Sequence, residues 1–390
     1  MKISVFIPAV LVLSAIVGIS SGADAPSFSI AWSEYPSWST FGVAGQTKVN
    51  GELLIDGAQG RQGSIEKKWN VDIVLKEADY DSCIVMYGAG QCDAACLTNM
   101  DALNPSLTRA SAAILPTSTS FGADACIVGA DITDVKQLRG KAVRGLAKSV
   151  SEYCWARNLA VLGEKEKDHK FTNMDPGAAA TAMQNPKGGI EAIMVWNPFV
   201  ISTLNQRKDA HVLFDSTKTP GEIIDMVIMA QSSLDKPGGR QAACAIIEAY
   251  YAIARRLADK KTQDDTLLAL GEKFAKVSAE DMNKCVHQTR FYATPEQGIS
   301  LLTGGCVFPW KAQVKDTGTL FTNAGFDPAD KGVTDKTLKD IMPLVVDFCI
   351  SREIVARKPE LGYGPKADAP KAQLRFDPTY IKEVQAALGK

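Results

Sequence analysis

The side chains in this chain best suited to chemistry follow runs that read as β-strands. Trp32 closes the run Ser27–Trp32, and Ser33, Glu34 and Tyr35 come next. Asn99, Met100 and Asp101 follow Ala94–Thr98. Thr117, Ser118, Thr119 and Ser120 end an extended segment, and Ser149 and Ser151 open a helical pattern. Trp196 and Asn197 end a strand over 192–196, and Glu222 and Asp225 precede another. In open α/β sheets, ligands collect beyond strand carboxyl ends and at helix N-termini. Aromatic planes, amides, hydroxyls and carboxylates at such points make a surface that binds a small molecule. They make a poor catalytic set. The chain has three histidines: His169 lies in a charge run, His211 opens a strand, and His287 stands apart from any strand end. No nucleophile elbow, phosphate-binding loop, dinucleotide fingerprint or metal-ligand spacing occurs. The reading is therefore a binder without catalytic residues, cofactor or metal. Each residue also has a structural reading. Trp196 suits a core, Asp101 can cap the helix after it, and Ser149 is an N-cap. Glu34, Glu222 and Asp225 can be surface carboxylates.

The elements that must position these residues alternate between apolar runs and helical patterns, the signature of an α/β protein. Strands are expected over Ser27–Trp32, Val71–Lys76, Ala94–Thr98, Ala125–Val128, 192–196, His211–Phe214 and Met226–Ala230. Ser149 and Glu152 have capping-box spacing, and Asp175-Pro176 pairs an N-cap with proline at the first helical position. Residues 41–64 are rich in glycine and polar residues and read mainly as a loop. Crossings near Thr117–Phe121 and Pro220–Met226 would divide the chain into two α/β lobes. One is 24–118 with 225–390, the other is 119–224, and a cleft lies between them.

The 390 residues exceed one comfortable core and suit roughly two domains. Lys+Arg (43) and Asp+Glu (44) nearly cancel, so no field of either sign points to nucleic acid. Lys2, the apolar run Ile3–Ile19 and the small residues Ser20-Ser21-Gly22-Ala23 read as a signal peptide over 1–23, cleaved after Ala23. Pro8 and the marginal length argue against a membrane anchor. No cysteine stands near the cleavage point for lipid attachment. The mature chain is expected in an exported compartment. Nine cysteines are an odd count. Most sit in apolar company and read as small buried hydrophobes, with Cys285–Cys306 as one candidate pair.

Leu138-Arg139-Gly140-Lys141, the helix start Ser149-Val150-Ser151-Glu152-Tyr153, and Val195-Trp196-Asn197-Pro198 resemble the nitrate/sulfonate/taurine-type substrate-binding proteins of ABC importers. Further segments look like the subgroup associated with urea carboxylase: Thr98-Asn99-Met100-Asp101-Ala102-Leu103, Phe214-Asp215-Ser216, Pro220-Gly221-Glu222-Ile223-Ile224-Asp225 and Phe291-Tyr292-Ala293-Thr294-Pro295. The resemblance implies a type II periplasmic binding protein fold and a periplasmic monomer. It also implies delivery of ligand to an inner-membrane permease with a cytoplasmic ATPase. For the subgroup it implies a urea- or guanidine-like solute. The length of 41–64 and the cysteine count depart from the family pattern.

Charge gives an independent opinion on the ligand. Glu34, Asp101, Glu222 and Asp225 could converge on the cleft, and the candidate positions contain no Arg or Lys. Carboxylates would bind a planar cation such as guanidinium in paired, charge-assisted bonds, with Trp32 or Trp196 on its face. A sulfonate or nitrate would want Arg or a helix N-terminus. The helix at Ser149 could supply one, but Glu152 in its first turn opposes it. An enzyme of the pyrimidine-precursor synthase type, on the same fold, is the other alternative, and it would need a histidine at the site.

Overall fold

The computed structural model describes residues 25–274, 276–308 and 335–389. The expected signal peptide, 1–23, lies outside the described residues. The strands are β1 (Ser27–Trp32), β2 (Lys48–Val49), β3 (Glu52–Leu53), β4 (Asp72–Glu77), β5 (Ala94–Thr98), β6 (Ser111–Thr119) and β7 (Asp124–Val128). They continue with β8 (Ala142–Gly145), β9 (Lys170–Asn173), β10 (Ala192–Trp196), β11 (His211–Asp215), β12 (Ile224–Ala230), β13 (Leu361–Tyr363) and β14 (Leu374–Phe376). The helices are α1 (Ser39–Ala44), α2 (Ser64–Trp69), α3 (Tyr80–Gly88), α4 (Leu103–Thr108), α5 (Val150–Val161), α6 (Pro176–Gln184) and α7 (Phe199–Gln206). After them come α8 (Gln231–Leu234), α9 (Gly239–Ala258), α10 (Gln263–Lys273), α11 (Ala279–Thr289), α12 (Pro295–Leu302), α13 (Leu338–Ser351) and α14 (Thr379–Leu388).

Two sheets organise these elements. The larger has the order β13-β14-β6-β12-β5-β1-β4, and the smaller β11-β7-β10-β8-β9. In the larger sheet β1 runs parallel to β4 and β5, whereas β12 is antiparallel to β5 and β6. Every residue of β5, β6 and β12 is buried, as are those of β7 and β10 in the smaller sheet. Their apolar stretches, such as Ala112–Leu115 and Met226–Ala230, are what strands covered on both faces require, and the polar residues gather at the strand ends. The helix α9 buries Ile246, Tyr250, Ile253 and Leu257 at spacings of one helical face. Truncating either isoleucine to alanine is expected to cost about 2–5 kcal/mol. No helix among the described residues is long and apolar enough to cross a membrane.

The chain passes from the larger sheet to the smaller after β6 and returns before β12. The two connections lie side by side. The Thr119 hydroxyl donates to the Ile223 carbonyl at 2.7 Å, and the Ser120 amide donates to the same oxygen at 3.2 Å. The Asn99 side chain braces the return. Its Nδ2 donates to the Glu222 carbonyl, and its Oδ1 accepts the Ile224 amide, both at 3.1 Å. Helix α11 packs beside the first crossing, where the Gln288 carbonyl accepts the Phe121 amide at 2.7 Å.

Local sequence signals explain most boundaries. Ser149 caps α5 by accepting the Ser151 amide, while Glu152 accepts the Lys148 amide at 2.6 Å. Asp175 caps α6 as its Asp-Pro start predicts. Residues 41–64 depart from the loop expectation. They include the end of α1 and the β2–β3 hairpin, closed by Asn50 and Gly51 at φ 52° and 84°. Asn-Gly with both φ positive is the strongest short hairpin signal. Helices α11, α12 and α14 and strands β9, β13 and β14 were not expected. Cys285 is a buried free thiol, so the Cys285–Cys306 pair does not form.

Candidate functional site

A small cavity lies where the ends of both sheets meet, at the two crossings. Tyr35, Trp38, Tyr80, Thr98, Asp124, Val150, Trp196, Ile223 and Asp225 line it, and it encloses about 10 Å³. Tyr35 and Trp38 come from the turn after β1, and Tyr80 is the first residue of α3, just beyond β4. Trp196 ends β10, Asp124 opens β7, and Val150 opens α5. Asp225 sits at the start of antiparallel β12, opposite Thr98 at the end of β5 and Ser118 near the end of β6. The cavity therefore occupies the position that strand topology favours.

Four aromatic rings form its wall. Tyr35 and Trp38 are tilted with centroids 4.9 Å apart, Trp38 stacks on Tyr80 at 5.4 Å, and Trp196 meets Tyr80 edge-on at 5.7 Å. The hydroxyl of Tyr35 lies beside Ser120 and Asp225 outside hydrogen-bond geometry, and Trp38 Nε1 has no hydrogen-bond partner. Both residues are more than nine-tenths buried.

The charge at the cavity is of one sign. Asp124 and Asp225 line it, and no lysine, arginine or histidine does so among the described residues. Burial pushes the Asp124 carboxyl up to about 7, with Asp101 and Asp215 adding repulsion. Burial, opposed by the Ser118 hydrogen bond and aided by repulsion from Asp124, holds Asp225 well above the carboxylate range. Two buried acids with no basic partner pay a desolvation cost when ionised that a bound cation would offset.

Hydroxyls surround Asp225. Ser118 Oγ lies 2.5 Å from Asp225 Oδ2 and 2.8 Å from Ser37 Oγ, which lies 3.0 Å from Thr117 Oγ1. Each hydroxyl has one proton to give. With Asp225 ionised the chain donates toward the carboxylate, and with Asp225 protonated it can run the other way. Thr117 and Ser118 thus stand behind Asp225 and set its proton chain.

Asp101 stands behind Tyr80. The Tyr80 hydroxyl donates to Asp101 Oδ2 at 2.7 Å and Thr98 Oγ1 donates to the same oxygen at 2.9 Å. The Tyr80 oxygen accepts the Thr98 amide at 3.0 Å. Burial raises the Asp101 carboxyl to about 6 against these bonds. Its geometry fixes the Tyr80 ring.

The other expected site residues are spread around this centre. Tyr35, Trp196 and Asp225 come together at the cavity. Trp32 is packed in the core, where a Cβ on Gly42 would stand 2.6 Å from its ring. Ser149 caps α5, and Ser151 is buried behind it with a hydroxyl that lacks a partner. Asn197 Nδ2 donates to Gln288 Oε1 at 2.7 Å, and Asn99 braces the return crossing. Glu222 is neutralised. Arg157 grips it with two bonds at 2.7 and 2.8 Å, Tyr153 donates at 2.8 Å, and Lys336 stands 3.8 Å away. Residues 41–64 contribute nothing to the lining.

Glu34 lies farther out, in a second cavity of about 610 Å³. Glu77, Asp79, Asp81 and Asp175 share it with Glu34, and Tyr80 and Trp196 wall both cavities. Trp38, Tyr80 and Asp124 were missed in the sequence. Tyr80 reads there as a helix residue and Asp124 falls one position ahead of the expected strand. The signal that could have found them is their place beyond strand or crossing ends.

No family model matches the chain, and no curated protein matches it by sequence. Solved structures do. The periplasmic aliphatic sulphonate-binding protein SsuA of Escherichia coli is 16% identical, with a TM-score of 0.54 over 68% of this chain and 84% of that one. A periplasmic sulfonate-binding protein SsuA from Methylobacillus flagellatus is 12% identical, with a TM-score of 0.59 over 94% of this chain and 96% of that one. The alkanesulfonate-binding protein SsuA of Xanthomonas axonopodis pv. citri, bound to MOPS, is 14% identical, with a TM-score of 0.53 over 68% and 85%. The likeness establishes the fold: two α/β lobes joined by two crossings, of the type II periplasmic binding protein kind.

Proposed function

We propose that this chain is the exported solute-binding subunit of an ABC importer and that it captures a small, planar, nitrogen-rich cation of the guanidinium type. The lobes would be 24–118 with 225–390, and 119–224, and ligand would be handed to a permease driven by a cytoplasmic ATPase. The observation that carries this reading is the cavity: four aromatic rings around Asp124 and Asp225, with no basic side chain in the described lining. Guanidinium N–H groups would bond the carboxylates while its face meets Trp38 or Trp196. A sulfonate, named for the similar structures, would meet two buried acids and no counter-charge. The similar structures are named as binding proteins, which supports binding over turnover.

Neutral urea is a second reading. Trp38 Nε1 and the Tyr35 hydroxyl lack partners and could donate to a carbonyl oxygen. A thermal-shift panel separates the two, because a ligand that binds only the folded chain raises stability with its concentration. Guanidinium should raise Tm at pH 8 and less at pH 5, whereas urea at the same millimolar concentrations should act similarly at both. A Tm unmoved by either, with a shift on adding taurine, would remove the proposal.

A further inference from the structure

We propose that the small cavity at the crossings is a binding site for ammonium, held by Asp124, Asp225 and the Tyr35 hydroxyl inside a box of aromatic rings. This rests on the cation reading above and sets the size of the ion. The cavity encloses about 10 Å³. That is room for about one water molecule. Tyr80 and Trp196 line both this cavity and the outer chamber of about 610 Å³, so their edge-on contact is the wall between the two. Guanidinium has four heavy atoms and would enter only with that wall displaced. Ammonium has one heavy atom, about the size of water, and fits the arrangement as it stands.

Charge and hydrogen bonding both favour this ion over water. Asp124 comes from β7 and Asp225 from β12, one acid from each sheet, and no lysine, arginine or histidine lines the cavity among the described residues. Arg157, the basic residue of α5, is committed to Glu222. Burial pushes Asp124 up to about 7, so it is ionised at pH 8. A buried carboxylate without a basic partner calls for a cation, and water supplies none. Tyr35 is 4% exposed and its hydroxyl has no hydrogen-bond partner, so the oxygen can accept one N–H of the ion. Trp38 Nε1 is also unpartnered but can only donate, so Trp38 offers the ion its ring face. The hydroxyls of Tyr80 and Thr98 are already bonded to Asp101. Few oxygens remain for potassium, which needs a shell of them in place of its water. Ammonium bonds through directed N–H groups and can turn the remaining ones to the rings.

Calorimetric titration of the mature, ligand-stripped chain at pH 8 with ammonium, potassium, methylammonium and guanidinium chlorides, at equal ionic strength, tests this. Ammonium should bind saturably and one-to-one, raise Tm with its concentration, and compete with guanidinium. Methylammonium should bind weaker by about tenfold, because the added methyl group overfills the space. Potassium should give no saturable heat. Tyr35→Phe, which removes only the hydroxyl, should weaken ammonium by about tenfold, and Asp124→Asn by about tenfold or more. Thermal melting of each variant checks that it is folded. Guanidinium binding with ammonium silent would overturn the ammonium site and leave the cation reading standing. Potassium equal to ammonium, or ammonium affinity unchanged in both variants, would also overturn the site. Silence from ammonium and guanidinium alike would overturn the cation reading with it.

Discussion

Tyr80 and Trp196 meet edge-on with centroids 5.7 Å apart, bringing the two lobes together over a pair of buried carboxylic acids. Tyr80 is held by Asp101 and Thr98 in its own lobe, so it presents a fixed ring. Trp196 ends β10, a strand of the smaller sheet. The contact is thus a wall of the cavity to which both sheets contribute.

Replacing Trp196 by alanine removes one aromatic face and opens the wall toward the outer chamber. Affinity for guanidinium should fall by about tenfold. The loss should appear mainly as faster dissociation, measured by stopped-flow Trp fluorescence, because interface truncations act chiefly there.

Asp225→Asn separates binding from stability. The amide keeps the shape and can still accept from Ser118, which lies 2.5 Å from the carboxylate. Guanidinium affinity should fall by about 10–100-fold, the scale of a lost charge-assisted bond. The ligand-free chain should be no less stable at pH 8, because the substitution removes an acid whose ionisation burial disfavours. Urea denaturation with and without ligand measures both.

The raised carboxyls set the pH behaviour. Asp101 and Asp124 titrate near 6 and 7 in the folded chain, and near the ordinary value of about 4 when unfolded. A raised folded value adds stability that is whole below about pH 4 and is lost as pH climbs through 6 and 7. The ligand-free chain should therefore melt lower at pH 8 than at pH 5.5 as far as these groups decide. Cation affinity runs the other way, rising from pH 5.5 to pH 8 as Asp124 ionises. Calorimetry in buffers of different ionisation enthalpy should show proton release on binding near pH 6.5.

Much of this architecture was legible because strand ends are marked by short polar and aromatic clusters. Ser27–Trp32 and Ala94–Thr98 form strands with the boundaries their apolar runs suggest. The Asp-Pro and Ser-x-x-Glu signals start α6 and α5. The fate of each carboxylate was not legible, because it depends on partners far along the chain. Glu222 and Asp225 are three residues apart, yet Arg157 neutralises the first and the second faces the cavity. Asp101, expected beside the ligand, accepts from the hydroxyl of Tyr80, 21 positions upstream, and so fixes that ring. Tyr80 looked like one more helical residue because its periodicity says nothing about the sheet edge its helix leaves.

That contrast is testable at Glu222. Glu222→Gln strips Arg157 of its buried counter-charge, and the chain should lose about 2–4 kcal/mol of stability. Guanidinium affinity should change much less than in Asp225→Asn. Chemical denaturation read alongside calorimetry distinguishes the two carboxylates.

The most direct measurement is calorimetric titration of the mature, ligand-stripped chain at pH 8 with millimolar guanidinium chloride, taurine and nitrate in parallel. A cavity of aromatic rings and unpaired acids predicts saturable one-to-one heat with guanidinium and none with either anion. Saturable binding of taurine or nitrate, with guanidinium silent, would contradict it.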